Sequence, residues 1–449
     1  MSTGFAPRPS VAASPPWAFP ESTSWQLPNG LRGHHIEVAG RGLFTVSAQV
    51  RAPLSGEPAG QDGITALLVA CLEEGTDSRD ATQSAEYLDD LGADFESGLT
   101  WAGPAVGMSL PASRAEAGLA LLAETMSRPA FAPDAVERVR AQHLDYWNGA
   151  MADAEARATV EFFRGCFTAE TRMSRPPGGT GESIQGIERD ALAAHWTRIA
   201  HPSNITLITA GDLPLERVEE LAGQYFGGWA DGEHTVSQPQ EPEAAVCTVR
   251  LVDRPGSVQS ALLLGAPTVD ARHVDFCDLL VATHVLGGSM GSRLSSVIRE
   301  EKGYTYGISA RITPSVRGGM FIVDTTVAAE VTVPALSEIR RILAEFRAHG
   351  LTAAECEDAV HHLNGGEPLS YETTGSLAHE MGREVAMGMP VGWINARRRR
   401  IAETTAAGAT AAFTSLIPES LHMVIVGDAA RLQAELVVAG FEDIQIIEA

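Results

Sequence analysis

The order of predicted elements is repeated in the two halves of this 449-residue chain, and this repetition constrains the fold more than any single motif. The break lies at residues 231–245, DGEHTVSQPQEPEAA, which are polar, acidic and without apolar periodicity, as linkers are. Each half has an apolar helix, then a strand pair, then two amphipathic helices. The closing strands are ITLITAGD at 205–212 and MVIVGD at 423–428. Such an order indicates an internal duplication.

The repeated pattern predicts an α+β fold of two homologous domains, each an antiparallel-rich sheet backed by paired helices. The chain is also too long for one ordinary core. We predict a first domain over residues 21–230, a linker over residues 231–245 and a second domain over residues 246–449. Residues 1–20 are rich in proline and small residues, so we expect an extended N-terminal arm there.

Composition excludes several classes of function. The formal charge of −24 argues against binding to nucleic acid or to an anionic membrane, because both partners need a basic face. No apolar run approaches the roughly 18 residues of a membrane helix, and no secretory leader is recognisable. The five cysteines show no paired spacing, so neither a disulfide framework nor a cysteine zinc site is expected. We expect a cytoplasmic protein.

Two glycine clusters, LGGSMGSRL at 286–294 and PPGGTGES at 176–183, lack the features of nucleotide-binding loops. Neither has the Lys-Ser/Thr pair of a P-loop or the GxGxxG spacing that opens a helix after a strand. His379 and Glu380 begin an HExxH pattern, but Arg383 takes the place of the second histidine. No nucleotide or metal site is predicted from these motifs.

Adjacent histidines and a run of arginines are interpreted as surface features. The pairs His34-His35 and His361-His362 point to different faces of their elements, so we predict solvated or capping side chains. The run Arg397 to Arg400 lies in a predicted helix of an acidic protein, which favours a solvated, salt-bridged face.

The stretch GITALLVACLEEGT at 63–76 is predicted as a mainly apolar helix that ends at Gly75-Thr76. The helix QSAEYLDDLGADF and a strand pair follow it, and the chain also contains LPNGLR, PPGGTGESIQGI, HPSNITLITAGD and LGGSMGSRLSSVIREEKGYTYGISA. This set resembles the pitrilysin/insulinase family of zinc peptidases over nearly all of residues 25–449. The similarity is strongest to the short, two-subunit members, which are similar in plan to mitochondrial processing peptidase.

The resemblance implies a zinc motif whose residues are missing here. Active members carry HxxEH on the first helix, where the two histidines bind zinc and the glutamate activates water. In this chain the motif falls on Ala66, Leu67, Leu68, Val69 and Ala70. The family's third ligand, a glutamate, falls near Tyr146 or Trp147, and Asp145 is close by. Zinc needs three protein ligands for hydrolysis, so we expect no metal in this chain.

The stretch IREEKGYTYGIS at 298–309 is the stronger candidate for retained chemistry. Arg299 is predicted in the last turn of a helix that Gly303 ends in a left-handed conformation, and Tyr304 to Ile312 are predicted as a strand. In the family that this chain resembles, an arginine and a tyrosine at this offset reach the zinc site of the facing half, which implies catalytic roles for Arg299 and Tyr306. The alternative is a surface pair of Arg299 with a neighbouring glutamate, and a half-buried strand tyrosine.

A glycine-rich loop lies upstream of this stretch. Gly287, Gly288 and Ser289 match a loop that the non-catalytic subunit of the processing peptidase uses in substrate handling, so the resemblance implies a substrate-binding role. A tight turn between two helices also accounts for these residues.

Two functions remain open from the sequence. The first is the zinc-free subunit of a heterodimeric metallopeptidase, in which a homologous partner supplies HxxEH and zinc and the substrate is a peptide, such as a leader. The second is an inactive family member that serves as an assembly scaffold or binds peptides. The missing ligands argue against a peptidase that works alone.

Overall fold

Two six-stranded sheets organise the molecule, one from each half of the sequence. The computed structural model describes residues 17–232 and 238–448. The first-half strands are β1 (Thr23–Gln26), β2 (Arg32–Glu37), β3 (Leu43–Val50), β4 (Gly75–Thr76), β5 (Arg79–Asp80), β6 (Asp94–Thr100), β7 (Gly103–Pro111) and β8 (Ile205–Gly211), of which β4 and β5 form a separate ribbon. The first-half helices are α1 (Ile64–Cys71), α2 (Ala81–Leu91), α3 (Ala115–Ser127), α4 (Pro133–Ala152), α5 (Ala154–Cys166), α6 (Gly181–Gln185), α7 (Arg189–Ile199) and α8 (Leu215–Phe226).

The second half repeats this arrangement. Its strands are β9 (Val249–Asp253), β10 (Gln259–Thr268), β11 (Ile308–Pro314), β12 (Gly319–Ala328), β13 (His422–Gly427) and β14 (Ile444–Ile447). Its helices are α9 (Phe276–Gly287), α10 (Thr332–His349), α11 (Ala353–Ser370), α12 (Thr374–Ala386), α13 (Trp393–Glu403), α14 (Ala406–Leu416) and α15 (Ala429–Val438), with a π-helical segment at Ser295–Glu301. In the described part of the chain, no helix is both long and apolar enough to cross a membrane.

Both sheets share one topology over five of their six strands; the edge strands differ, because β1 is antiparallel to β2 and β14 is parallel to β9. The strand orders are β1-β2-β8-β3-β7-β6 and β14-β9-β13-β10-β12-β11. In each sheet the closing strand, β8 or β13, is parallel to the first long strand, β2 or β9, and antiparallel to the next, β3 or β10. The predicted α+β class with two homologous domains is therefore confirmed.

The two halves exchange one helix each. Helix α5 comes from the first half but packs across β10 and β13 of the second sheet, where Phe162 is fully buried with Leu263 and Val424. Helix α12 comes from the second half but packs across β3 and β8 of the first sheet, where Met381 lies in one apolar cluster with Ile208. Each half therefore completes the core of the other.

The exchange explains why β8 and β13 are apolar on both faces. In β8 every residue is buried: Leu207 faces the core of the first half, while Ile208 and Ala210 face α12. In β13, Ile425 lies in the core of the second half and Val424 faces α5. A strand covered on both faces has a continuous apolar sequence instead of an alternating one.

The last residues of the predicted arm are packed against the second half. Residues 1–16 of the arm and residues 233–237 of the predicted linker lie outside the described residues. Phe19 is buried in the cluster that α12 forms with the first sheet, and Trp17 packs at its margin. The arm therefore contacts helices that follow it by more than 350 residues.

The prediction that His35 is solvated or a cap is wrong. His35 is 2% exposed, with Nδ1 at 2.9 Å from Thr209 Oγ1 and Nε2 at 2.9 Å from the Leu213 carbonyl oxygen. Burial lowers the pKa of His35. Its strand β2 lies between β1 and β8, so one of two adjacent side chains must face the interior. His361 and His362 are exposed, and His34 is half-buried.

The prediction of a solvated arginine face is wrong for Arg397 and Arg398. Their side chains are 14% and 15% exposed, and each pairs with Glu367 at 2.5 Å. Helix α13 packs against α11, so this part of its charged face points inward and is neutralised there.

Candidate functional site

Helix α1, on which the resemblance places the zinc motif, carries none of the motif's ligand side chains. Gly63 precedes it with φ of 91°, and Val69 is buried while Ala66 and Ala70 are half-buried. None of these three side chains carries a donor atom, so this site does not fit zinc. Within residues 17–232 and 238–448, no three His, Cys, Asp or Glu side chains are grouped so that they could hold a metal ion.

A buried carboxylate holds the beginning of α1. The Glu57 oxygens accept hydrogen bonds from the backbone N–H groups of Gly63 (3.2 Å) and Thr65 (3.1 Å), which lack partners within the helix. Arg172 pairs with Glu57 at 2.8 Å and also donates to the carbonyl oxygens of residues 175–177. A Cβ on Gly63 would collide with Gly178. The cluster at 176–183 is therefore a packing loop against α1.

The position of the family's third ligand on α4 is occupied by aromatic residues. Helix α4 continues to Ala152 and carries these residues in its second half. Tyr146 is 81% exposed, and Asp145 is exposed beside it. The Trp147 ring packs on Gly181, where an added Cβ would lie 2.8 Å from Trp147 Cδ1.

A second buried histidine lies under α1 and was not predicted. His195 Nε2 is 3.0 Å from Thr65 Oγ1, and its Nδ1 is 2.7 Å from Arg198. Burial, with a smaller effect of Arg198, lowers the pKa of His195 to about 4. This histidine is therefore neutral near pH 7 and helps to fix α1. The only sign in the sequence that His195 is buried is its helical spacing from Leu192 and Ile199, which are apolar.

The turn between Arg299 and Tyr306 agrees in part with the prediction. Gly303 has φ of +64°, as predicted for a left-handed helix end, and its N–H donates to the Arg299 carbonyl oxygen at 3.2 Å. The predicted strand start at Tyr304 is wrong, because β11 begins at Ile308. The intervening residues are held by side-chain bonds: Thr305 Oγ1 accepts from the Gly307 N–H (3.1 Å) and donates to the Thr326 carbonyl oxygen (2.7 Å).

Arg299 lies beside the glycine-rich loop. Its Nη1 is 3.0 Å from Glu300 Oε1 and 3.4 Å from the sulfur of Met290, and its side chain is 31% exposed. The surface pair with Glu300 that the sequence left open is thus present. Tyr306 is 97% exposed, which differs from the half-buried strand tyrosine of the same alternative.

Tyr306 lines a cleft of about 620 Å³ between the beginning of α5 and the ends of β10 and β12. Charged side chains in this lining are Asp153, Glu155, Asp324 and Arg311. Glu155 accepts a hydrogen bond from Thr326 Oγ1 at 2.6 Å, and Arg311 pairs with Asp324. Carboxylates therefore outnumber cationic groups around the tyrosine.

Close packing accounts for both glycines of the predicted substrate-binding loop. A Cβ on Gly287 would collide with Ala310 of β11, and one on Gly288 would collide with the His284 ring. Ser289 lines a cavity of about 210 Å³ together with His284 and His362. The two imidazole ring centroids are 4.6 Å apart, and burial with the neighbouring His362 lowers the pKa of His284 to about 4.

Comparison with known proteins gives consistent matches. Residues 186–363 match the family described as peptidase M16 inactive domain. The Helicobacter pylori protein named non-peptidase homolog YmxG is 24% identical over 334 residues, which are 74% of this chain and 76% of that protein. A Mycobacterium leprae protein named as an uncharacterized zinc protease is 24% identical over 360 residues, 80% of each chain.

Solved structures show the same fold. A peptidase M16 inactive domain from Pseudomonas fluorescens superposes with a TM-score of 0.84 at 23% identity, over 91% of this chain and 98% of that one. A protease from Helicobacter pylori gives a TM-score of 0.84 at 16% identity, over 91% and 99%. A chain of complex III2 from Candida albicans gives 0.77 at 12% identity, over 91% and 97%.

Proposed function

We propose that this chain, which belongs to the M16 peptidase family as a member of its inactive type, is the zinc-free subunit of a heterodimeric metallopeptidase. The resemblance to the pitrilysin/insulinase family, which is the M16 family, is confirmed. In this proposal a homologous partner supplies HxxEH and zinc, and this chain supplies Arg299 and Tyr306.

The exposure of Tyr306 is the observation that carries the proposal. A tyrosine whose only role is structural is normally at least half-buried, whereas Tyr306 is 97% exposed and lines a cleft. Gly303 fixes the turn between Tyr306 and Arg299 in a left-handed conformation. The turn thus holds a phenol in solvent on ordered backbone, which supports a role toward a molecule that binds there.

The two side chains suit the two polar groups of a peptide under attack. A guanidinium donates charged hydrogen bonds in a fixed geometry to a substrate carbonyl, and a phenol donates to the oxyanion of the tetrahedral intermediate. Arg299 can leave Glu300 at low cost, because exposed ion pairs contribute about 0–1 kcal/mol. Substrate would then replace Glu300 as the partner of the guanidinium.

The charge of the cleft supports peptides with basic side chains as substrates. Asp153, Glu155 and Asp324 face one guanidinium, that of Arg311. A cleft lined mainly by one sign of charge raises the local concentration of ligands of the opposite sign. Leader peptides with arginine or lysine have this character.

The test is reconstitution with the partner. The tagged chain is recovered from its host, and a homologue that carries HxxEH is expected in equal amount. The pair is then assayed for zinc content and peptide cleavage with Arg299→Lys and Tyr306→Phe. Loss of one oxyanion donor should lower kcat on the order of 100- to 1,000-fold for Tyr306→Phe.

Matched controls separate catalysis from folding. Tyr225→Phe changes a tyrosine of α8 that does not line the cleft and donates to Glu116, and Arg341→Lys changes an arginine in exposed ion pairs on α10. Both should leave cleavage unchanged. If Tyr306→Phe behaves like Tyr225→Phe in an active pair, the catalytic role is wrong.

A second function is favoured by one observation. The Arg299 guanidinium is already paired with Glu300, as expected if its only role is to form an ion pair on the protein surface. The chain would then be an assembly scaffold or a peptide-binding protein. Recovery without any HxxEH homologue would support this function in place of the first.

A further inference from the structure

The side-chain amide of Asn395 binds the main chain of the N-terminal arm. The Phe19 N–H donates to Asn395 Oδ1 at 2.8 Å, and Asn395 Nδ2 donates to the Phe19 carbonyl oxygen at 2.9 Å. The amide thus reproduces the paired hydrogen bonds of a neighbouring β-strand. This mode of contact recognises any extended peptide and does not depend on the side chain of residue 19.

Aromatic contacts beside these two hydrogen bonds make the site selective for peptides with aromatic side chains. The Trp17 ring stacks on Tyr371 with centroids 5.7 Å apart and an interplanar angle of 14°, and Arg398 lies 4.8 Å from the Trp17 ring centroid. Phe19 is 3% exposed and lies nearly perpendicular to the same Tyr371 ring, with centroids 5.2 Å apart. Two aromatic side chains, two residues apart, are therefore held by one tyrosine.

The binding surface is built independently of the arm. Glu367 of α11 pairs with Arg398 and Arg397 of α13, and Arg397 also lies 3.7 Å from Glu380 of α12. The three helices are therefore joined by buried ion pairs that do not involve residues 17–20. We call the surface formed by Tyr371, Asn395 and Arg398 the aromatic socket.

We propose that the aromatic socket is a peptide-binding site for extended segments with aromatic side chains at alternate positions, and that residues 17–20 occupy it as an intramolecular latch. The latch joins the strand that opens the first half to helices of the second half. An arm segment tethered next to the socket has an effective concentration on the order of millimolar, so it excludes weaker peptides in trans.

Native-state proteolysis tests the latch in the full chain. Chymotrypsin cuts after Trp17 only when the segment leaves the socket, and the rate then follows the open population. Asn395→Ala removes both main-chain hydrogen bonds and should speed this cut roughly tenfold or more. Glu21→Ala, an exposed change in the same segment, is the control and should leave the rate unchanged. Equal rates in the two variants would overturn the latch.

Peptide binding tests the socket itself. The probe is a fluorescein-labelled peptide SPPWAFPES, titrated against the full chain with Trp17→Ala and Phe19→Ala. We expect saturable binding that is at least about tenfold tighter than to the unchanged chain, because the arm no longer competes. A peptide with alanine at both aromatic positions should not bind.

The outcomes of the titration are distinct. Equal binding to both chains, or binding of the alanine peptide as well as the probe, would overturn the socket. If the double variant lacks a cooperative thermal transition, Trp17→Ala alone takes its place with the same probe. In that variant the arm has lost its stacking contact with Tyr371 while the socket is unchanged, so the probe must bind more tightly than to the unchanged chain, and failure to do so is also decisive.

Discussion

Glu57 and Glu384 each place a carboxylate in the interior at the beginning of a helix, and their surroundings differ. Glu57 is matched by Arg172, with side-chain exposures of 1% and 6%. Glu384 Oε1 accepts a hydrogen bond from the Ile394 N–H at 2.6 Å, but its Oε2 has no hydrogen-bond partner among the described residues. The Glu57 carboxylate therefore has a cationic partner, whereas the ionised form of Glu384 is poorly stabilised.

Arg172→Met should strongly destabilise the chain. The change leaves the Glu57 and Asp62 carboxylates without their buried partner, which costs about 3–5 kcal/mol in comparable pairs. Arg217→Met is the control, because Arg217 pairs with glutamates on the surface, where the cost is about 0–1 kcal/mol. Urea unfolding of both variants measures the difference. Similar losses in the two variants would contradict a structural role for Arg172.

Glu384→Gln should alter the pH dependence of stability. Burial raises the pKa of Glu384 from 4.5 to about 7. Between these values the folded chain binds a proton that the unfolded chain releases, so this stabilisation is complete below pH 4.5 and is lost as pH rises through 7. The Tm of the variant minus that of the unchanged chain should therefore rise by about 2 °C or more from pH 5 to pH 8. A difference that stays constant with pH would show that Glu384 does not titrate in this range.

At the level of elements, turns with positive φ position the two parts of the candidate site. Gly63 begins α1 with φ of 91°, and Gly303 ends the helix that carries Arg299 with φ of +64°. Residues with side chains pay about 1–2 kcal/mol in this region of backbone conformation. Glycine therefore lets the chain turn into α1 at Gly63 and turn out of the helix that carries Arg299 at Gly303.

Gly63→Ala should destabilise α1 and the loop against it. The positive φ costs about 1–2 kcal/mol, and a clash of the new Cβ with the Gly178 carbonyl oxygen adds to it, so the total should exceed about 2 kcal/mol. Gly149→Ala is the control: it lies in α4 with open space around it and should stabilise by about 0.5–1 kcal/mol. Thermal unfolding compares them. If both variants gain stability, the contact between α1 and the loop at 176–183 is unimportant.

For the whole molecule, the exchange of α5 and α12 joins the two halves into one cooperative unit. Removing either helix would expose one face of a sheet that belongs to the other half. Separate unfolding of one half would therefore expose core residues of both. Such coupling favours one unfolding transition over two.

Phe162→Ala tests this coupling. Phe162 is fully buried between α5 and the second sheet, so the change should cost about 3–5 kcal/mol. Phe163→Ala removes a neighbouring, half-buried ring and should cost less. Differential scanning calorimetry should show one transition in the unchanged chain and in both variants, at the lowest temperature for Phe162→Ala. Two transitions, of which only one shifts, would contradict the coupling.

Much of the candidate site was predictable because it depends on local features. The missing donor atoms at Ala66, Val69 and Ala70 are properties of residue types, and the left-handed turn at Gly303 follows from glycine between a helix and a strand. The strand start at Ile308 was not predictable, because Thr305 and Gly307 are held by β12, a strand that comes later in the chain. The catalytic roles of Arg299 and Tyr306 stay predictions.

The sequence by itself determined the duplication, the α+β class and the absence of donor atoms in the side chains of Ala66, Val69 and Ala70 on α1. These follow from periodicity, element order and residue type, which are local. Only the tertiary structure decided that α5 and α12 each pack on the sheet of the other half, that His35 is buried and Arg397 largely so, and that Phe19 binds Asn395. The physical reason is that an apolar pattern shows which face of an element is buried but not which element covers it. The hydrophobic effect is non-directional, and contacts between residues far apart in the chain have no signature in the local sequence.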